Sequence, residues 1–306
     1  MVLAAPLEIQ PPSSYNARPG VKESRVDLAE QTIGIAGVGL IGGSIAVALR
    51  ERGFGGRLVG ITRDPSRLGA EPHATALDEI SNDLAQTVEQ CSLLVFCTPV
   101  DAIIEGIRSI ADRVQPRTLL TDVGSAKTTI CNTVTPLVPQ HAAFVGSHPL
   151  AGSEKQGFRH ADADLFRERC CVITPTSQST AQSLDRLTAF WQFLGAQVLT
   201  MTPEAHDLAL AETSHLPHVA AAALASQLDE SRFPLTASGF RDTTRIAAGD
   251  PEIWSAILKQ NASATVACLD RYIQSLGKFR EALHAQHTDR LKILLEAAKR
   301  NRDALH

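Results

Sequence analysis

The stretch TIGIAGVGLIG at Thr32–Gly42 decides the fold of this chain. Its first half is a short apolar run typical of a buried strand, and its glycines then follow the spacing GxGxxG. After a strand and before a helix, this spacing indicates a dinucleotide site, in which the glycines permit a tight turn, a close approach of the pyrophosphate, and close packing of helix on strand. The helix N-terminus adds free N–H groups for the phosphates. The expected cofactor contacts here are Gly37, Gly39, Leu40, Ile41 and Gly42.

The second predicted strand runs into Thr62-Arg63-Asp64. Thr62 lies where NAD enzymes usually place an acidic residue against the ribose 2′-hydroxyl. Threonine does not repel a 2′-phosphate, and Arg63 can bind one through charge-assisted hydrogen bonds, with Ser66 near enough to help. These residues predict a preference for NADP, while NAD would be favoured if Asp64 took the acidic role instead.

Strands and helices alternate along the chain as far as Thr200. Predicted strands at 32–37, 58–61, 93–97, 118–122 and 143–147 alternate with helices, and 170–174 and 197–200 are expected to extend the same sheet. Beyond Pro203 only helical spacing remains, with helices expected at about 203–230, 238–248, 251–277 and 279–303. The sequence therefore predicts a loose tail at 1–30, a doubly wound parallel-sheet (Rossmann) domain at 31–201, and an all-helical substrate and dimerisation domain at 202–306.

The overall composition narrows the class of protein. The 306 residues carry a net charge of -4, which gives no nucleic-acid footprint. No apolar run reaches the roughly 18 residues that span a membrane, and no secretory signal is evident. The six cysteines form no CxxC pair, and the histidines show no metal-ligand spacing. A cytoplasmic protein without a metal site is expected.

Four polar motifs fall where such a fold places its ligands. DVGSAK (Asp122–Lys127) and HPLAGSE (His148–Glu154) follow predicted strands of the sheet, and parallel sheets bind ligands beyond the carboxyl ends of their strands. SHLPH (Ser214–His218) and GFRDTTR (Gly239–Arg245) lie in the helical part. On a regular helix, Ser214 and His218 would share one face, as would the Asp242 and Arg245 pair.

These motifs, in this order behind the glycine turn, resemble the prephenate/arogenate dehydrogenase family of tyrosine biosynthesis over roughly residues 32–280. The resemblance implies that His148 hydrogen-bonds the ring hydroxyl of the substrate and that Ser125 lies near that hydroxyl and the nicotinamide. It also implies that Arg245 binds a substrate carboxylate. Further active-site positions implied by it are Glu154, Ser214, His218, Asp242 and Trp254, the last near a dimer interface. Thr98, Pro99 and Ser125 are expected beside the cofactor.

The chemistry of such a reaction suits these residue types. A hydride leaves the alcohol carbon for the nicotinamide, and the hydroxyl proton needs a base, for which histidine titrates in the right range. The new carbonyl makes the ring an electron sink, so carbon dioxide leaves and the ring becomes aromatic. Arginine can hold a carboxylate through two hydrogen bonds. The motifs leave both prephenate and arogenate as substrates, and a homodimer is expected.

Other interpretations remain open at this stage. A β-hydroxyacid dehydrogenase or imine reductase shares the domain order but uses a lysine as its acid or base, and a non-enzymatic dinucleotide sensor needs only the glycine turn. Individual residues also have plainer explanations. Arg245 could pair with Asp242 on its own helix, Glu154 could begin a helix, and His215 could be structural.

Overall fold

The computed structural model describes residues 31–152 and 155–305. The chain divides into two compact units, the first ending at Asp207 and the second beginning at Leu208. The predicted tail at 1–30 lies outside the described residues.

The centre of the first unit is a six-stranded sheet in which all neighbouring strands are parallel. Its spatial order is β3-β2-β1-β4-β5-β6. The strands are β1 (Thr32–Ala36), β2 (Arg57–Ile61), β3 (Glu79–Ser81), β4 (Leu93–Phe96), β5 (Leu119–Asp122) and β6 (Ala143–Phe144). Since the order reverses direction between β1 and β4, a ligand crevice is expected at the carboxyl ends of these two strands.

Helices cover the sheet through two separate hydrophobic clusters. The helices are α1 (Leu40–Glu51), α2 (Pro65–Gly69), α3 (Leu84–Val88), α4 (Val100–Ile110), α5 (Thr128–Val134) and α6 (Ala181–Phe193). Ile45 of α1 and Trp191 of α6 belong to one cluster, and Ile107 of α4 and Val134 of α5 belong to the other. This arrangement confirms the predicted doubly wound domain.

The strands after β6 form a second sheet, so the predicted extension of the first sheet is wrong. β7 (Gly146–Pro149), β8 (Cys170–Thr174) and β9 (Gln197–Thr200) form three strands in the order β7-β8-β9. The predicted single strand at 143–147 is divided at Val145, and His148 of β7 lies opposite Val172 of an antiparallel β8. An apolar run indicates a buried strand, but it does not say which partner the strand pairs with.

The second unit is helical, as predicted. Its elements are α7 (Pro203–Leu210, which begins in the first unit), a π-helical turn (Ala211–His215), α8 (Leu216–Ser226), α9 (Ser238–Thr244), α10 (Pro251–Gln260), α11 (Ala262–His284) and α12 (Thr288–Asp303). The predicted helix start at Asp250-Pro251 is confirmed, because the Asp250 carboxylate accepts hydrogen bonds from the N–H groups of Glu252 and Ile253. The predicted helix boundary at 277–279 is wrong, since the chain breaks at Asn261 and again between His284 and Thr288, and α11 is continuous between these two breaks.

Within the described part of the chain, none of the helices is both long enough and apolar enough to cross a membrane.

Candidate active site

The glycine turn between β1 and α1 has the shape that a pyrophosphate requires. Gly37 has φ +95°, and a Cβ there would lie 2.8 Å from the Cys97 carbonyl oxygen. A Cβ on Gly42 would lie 2.2 Å from the Gly37 carbonyl oxygen, so only glycine lets α1 pack this closely. A Cβ on Gly39 would meet nothing within 4 Å, which leaves open space beside the backbone. The three glycines thus match the three requirements of a dinucleotide turn.

A polar side chain from the neighbouring strand end lies beside this turn. Thr98 follows β4, and its methyl group would be 2.7 Å from a Cβ on Gly37. The Thr98 Oγ1 atom is buried and has no hydrogen-bond partner among the residues that the structure describes. Buried hydroxyls are normally hydrogen-bonded, so this one fits a ligand group at the crevice. Pro99 follows and precedes the first residue of α4.

Two charged residues, Arg63 and Asp64, follow the end of β2 and differ in their surroundings. Arg63 is exposed and Thr62 is half-buried. The Asp64 carboxylate caps α2, accepting hydrogen bonds from the Arg67 N–H at 3.1 Å and from the Ser66 hydroxyl at 2.7 Å. These hydrogen bonds hold the pKa of Asp64 below its usual value. Asp64 is therefore engaged as the cap of α2.

The loop after β5 is fixed by a buried ion pair. The Lys127 ammonium contacts the Asp122 carboxylate and donates to the Ser147 carbonyl oxygen at 2.9 Å. Asp122 also accepts the Gly124 N–H at 2.8 Å, so its carboxylate shapes the turn that follows its own strand. These contacts join the ends of β5 and β7, and they fix the loop that carries the half-buried Ser125.

His148 lies in β7 at the start of a hydrogen-bonded chain of side chains. Its Nδ1 atom is 2.9 Å from Nε2 of His206, and Nδ1 of His206 is 2.8 Å from Oδ1 of Asp207. His148 is half-buried, whereas His206 is fully buried. Asp207 also accepts hydrogen bonds from the backbone N–H groups of Lys127 at 2.8 Å and Thr128 at 2.9 Å.

His206 and Asp207 lie outside the four motifs, so the sequence did not predict them as neighbours of His148. The sequence does contain a signal for this pair, because His206 and Asp207 follow β9, a strand of the second sheet, and lie near the start of helix α7. Burial raises the pKa of Asp207, but hydrogen bonds from His206 and from the backbone of Lys127 and Thr128 outweigh it, and the pKa lies below its usual value. Asp207 is therefore an ionised acceptor at neutral pH.

In the second unit, two of the predicted residues form a stacked pair. The rings of His218 and Trp254 lie 3.6 Å apart between centroids and 11° from parallel. The His218 Nδ1 atom is buried without a hydrogen-bond partner in the described residues, and burial lowers the pKa of His218. His218 is thus a neutral imidazole with a nitrogen that fits a ligand group. His215 is buried, and its Nδ1 lies 3.1 Å from Nδ2 of Asn261, as expected for a structural histidine.

The remaining predicted residues are more exposed. Arg245 follows α9 and is exposed, as is Asp242 within that helix, while Ser214 in the π-helical turn is half-buried. Because a π-helical turn has more residues per turn, the face expected for Ser214 and His218 from regular spacing does not apply there. Glu154 lies outside the described residues. In the described ranges, no group of three or more His, Cys, Asp or Glu side chains is arranged to hold a metal ion.

Comparison with known proteins places both units in one family. The family model of the prephenate dehydrogenase nucleotide-binding domain matches residues 45–200, and that of the prephenate dehydrogenase dimerization domain matches residues 202–297. The chain is 34% identical to the cyclohexadienyl dehydrogenase of Zymomonas mobilis, over 89% of this chain and 94% of the relative. It is 32% identical to the prephenate dehydrogenase of Bacillus subtilis, over 90% of this chain and 76% of the relative.

Solved structures agree with these matches. Prephenate dehydrogenase from Aquifex aeolicus, in complex with hydroxyphenyl propionate and NAD+, superposes with a TM-score of 0.83 at 28% identity, covering 91% of this chain and 99% of that one. Arogenate dehydrogenase from Synechocystis superposes with a TM-score of 0.80 at 32% identity, covering 90% of this chain and 100% of that one.

Proposed function

The chain belongs to the prephenate dehydrogenase family of NAD(P)-dependent oxidoreductases, and from that premise we propose that it oxidises and decarboxylates prephenate or arogenate in tyrosine biosynthesis, with a preference for NADP. The products are 4-hydroxyphenylpyruvate from prephenate or tyrosine from arogenate. The proposal depends most on the position of His148, which the resemblance assigns to the ring hydroxyl. His148 is hydrogen-bonded to His206, which is in turn hydrogen-bonded to the ionised Asp207 carboxylate.

The cofactor site is proposed at the glycine turn. The backbone at Gly39 and the free N–H groups of α1 would hold the pyrophosphate, and Thr98 would donate its buried hydroxyl to the bound molecule. When bound, the nicotinamide accepts the hydride from the alcohol carbon. The preference for NADP is supported by the exposed Arg63 guanidinium and by the engagement of Asp64 as a helix cap.

The side chains of the protein accept the hydroxyl proton and bind the substrate carboxylates. His148 accepts the proton of the ring hydroxyl as the hydride leaves, and Ser125 orients that hydroxyl. Carbon dioxide departs from the ring carbon with the bonding electron pair left in the ring, which becomes aromatic. Arg245 holds a substrate carboxylate with paired N–H donors, and Trp254, Ser214 and His218 shape its surroundings. Glu154 and Asp242 are proposed as further substrate contacts.

A homodimer through the helical unit is also proposed. Four large apolar side chains on α11 are about half exposed in the single chain: Val266 55%, Ile273 56%, Leu276 49% and Leu283 62%. Their spacing places them along one side of the helix, and the matched family model is that of a dimerization domain. The six cysteines are free thiols, which supports a cytoplasmic location.

Steady-state kinetics with prephenate and arogenate, each with NAD+ and NADP+, tests the proposal. We expect reduced cofactor and carbon dioxide to appear in equal amounts with at least one of the two acids, and the higher kcat/KM with NADP+. The absence of turnover on both acids would refute the activity. A higher kcat/KM with NAD+ would refute the cofactor preference alone.

A further inference from the structure

We propose that His206 and Asp207 are positioning residues that fix the protonation state and ring orientation of His148. This inference rests on the proposed function, because it concerns the base of that reaction. His206 lies between the other two side chains, with 2.9 Å from its Nε2 to His148 Nδ1 and 2.8 Å from its Nδ1 to Asp207 Oδ1.

Proton positions along this chain follow from its ionised end. Since its pKa is lowered, Asp207 is a carboxylate and can only accept hydrogen bonds. His206 must therefore carry its proton on Nδ1, where it donates to Asp207. A neutral His206 then has a lone pair on Nε2, so the short contact with His148 requires a proton on His148 Nδ1.

The consequence for His148 is a defined tautomer. With the proton on Nδ1, the lone pair is on Nε2, and this is the nitrogen that accepts a proton in general-base catalysis. If His148 took the opposite tautomer, two unprotonated nitrogens would face each other at 2.9 Å. The hydrogen bonds through His206 to Asp207 therefore favour the Nδ1-protonated tautomer of His148, which the reaction needs, even before substrate binds.

The orientation of Asp207 is itself fixed by the backbone. Its Oδ1 accepts the Lys127 N–H and its Oδ2 accepts the Thr128 N–H, so the carboxylate cannot rotate without losing a hydrogen bond. These donors lie at the start of α5, directly after the loop that carries Ser125. The same carboxylate thus ties the position of His148 to the loop that presents Ser125.

Among the residues that the structure describes, Asp207 is a charged group that the hydrogen-bonded side chains link to His148. Lys127 and Asp122 form a buried ion pair and neutralise each other. On β8, the Cys171 sulfur accepts the His148 backbone N–H, and burial raises the pKa of that thiol well above its usual value, so it stays neutral. The negative charge of Asp207 therefore stabilises the imidazolium that forms when His148 takes up the proton.

A purely structural role is the competing explanation, because a buried histidine and aspartate that join β7, α5 and α7 could serve only to hold the fold together. That role predicts lower stability in the variants without any change in the pH dependence of kcat. A positioning role predicts a change in the protonation of His148. The two explanations therefore predict different results for the pH dependence of kcat and for the protonation of His148.

Three variants separate the explanations. Asp207→Asn removes the negative charge and replaces one carboxylate oxygen with an amide N–H donor, so a backbone N–H of Lys127 or Thr128 loses its acceptor and the position of the side chain is no longer fixed at both atoms. We expect kcat to fall about 10- to 100-fold, with substrate KM and NADP+ affinity changed less than about threefold. The acidic limb of the kcat profile should move to lower pH, since the imidazolium of His148 loses its negative neighbour. His206→Gln keeps one donor and one acceptor, so it should retain more of kcat than His206→Leu does.

Nitrogen NMR of the histidine rings in the wild-type protein gives a test that does not require turnover. We expect His148 and His206 both to carry the proton on Nδ1 near neutral pH. Exposed Asp185→Asn and His160→Gln are matched controls for the substitutions. A proton on Nε2 of His148 would overturn the inference, as would an unshifted kcat profile in Asp207→Asn with equal losses in His206→Gln and His206→Leu. Failure of the wild-type enzyme on both acids would instead refute the proposed function.

Discussion

Lys127 and Asp122 form an ion pair in which both side chains are 0% exposed, at the point where β5 ends and the Ser125 loop begins. Both groups make further hydrogen bonds, because Lys127 donates to the Ser147 carbonyl and Asp122 accepts the N–H groups of Gly124 and Ser147. Such a pair costs much desolvation to form and is costly to break on one side only.

We therefore expect Lys127→Met to lower the free energy of unfolding by about 3–5 kcal/mol, because it leaves the buried Asp122 carboxylate without its cation. Urea unfolding measures this loss. The double variant Lys127→Met/Asp122→Asn should recover part of it. For comparison, Arg108→Ala breaks an exposed pair with Glu105 and should cost less than about 1 kcal/mol. A similarly small loss in Lys127→Met would contradict this account of the loop.

Arg63→Ala should reduce the preference for NADP+ over NAD+. Loss of a charge-assisted contact to the 2′-phosphate is expected to cost about 1.5–3 kcal/mol, or roughly 10- to 100-fold in the ratio of the two kcat/KM values. The change should appear with NADP+ and leave NAD+ nearly unaffected. Arg108→Ala is the control for removal of an exposed arginine from the same unit. An unchanged ratio in Arg63→Ala would show that the 2′-phosphate is bound elsewhere.

The reciprocal change is Thr62→Asp, which places a carboxylate where the 2′-phosphate is expected. Repulsion should shift the preference toward NAD+, since a carboxylate can accept the two ribose hydroxyls instead. Kinetics with both cofactors measures the shift, with Thr62→Asn as the uncharged control. Equal effects of the two substitutions would mean that charge at this position does not select the cofactor.

His218 should remain neutral when the pH falls to values at which an ordinary histidine is protonated. Burial lowers its pKa in the folded protein, so the unfolded chain takes up this proton at a higher pH than the folded one. The free energy of unfolding is therefore highest above the unfolded pKa of about 6.5. It decreases as the pH falls from that value through the lowered pKa of the folded protein. Between about pH 7.5 and pH 5.5, the wild-type protein should therefore lose more stability than His218→Asn does. Equal losses would contradict the lowered pKa.

In sedimentation at micromolar concentration, the protein should behave as a dimer of about twice its 32.8 kDa chain mass. Ile273→Glu places a charge among the exposed apolar side chains of α11 and should shift the equilibrium toward the monomer. Gln274→Glu adds the same charge at the next position of the helix and serves as the control. A wild-type monomer under these conditions would refute the dimer.

Arg245→Gln should raise the substrate KM by about 10- to 100-fold while kcat falls less, because a carboxylate held equally in the ground and transition states affects mainly binding. Steady-state kinetics measures both constants, and Arg241→Gln on α9, the helix that precedes Arg245, is the control. A loss confined to kcat would assign Arg245 to the chemical step instead.

The sequence predicted the fold where local patterns determine structure. The glycine turn, the helix start at Asp250-Pro251 and the change to helices after Pro203 are all local signals. The second sheet was not predictable in this way, because β7 pairs with β8 across more than twenty residues, and an apolar run does not name its partner. The short strand β3 was missed because it has only three residues and follows no clear pattern.

The site was predictable to a similar extent. Motif residues such as His148 and Ser125 were identified because their segments are distinctive, whereas His206 and Asp207 depend on a contact that only the folded chain makes. His206 lies 58 positions from His148 in the chain, so no spacing rule relates the two residues. Buried hydrogen-bonded side chains of this kind are brought together by tertiary packing, so a single sequence does not show which of them are partners.

The most direct test of the central claim is the kcat of His148→Asn on the acid that the wild-type enzyme prefers. If His148 accepts the hydroxyl proton, kcat should fall by at least about 100-fold with NADP+ affinity intact, and the variant should lose the limb over which kcat rises as imidazoles become neutral. His160→Gln, an exposed histidine in the same unit, is the control. Retention of most of kcat in His148→Asn, or a defect only in KM, would contradict the assignment and make His148 a binding residue.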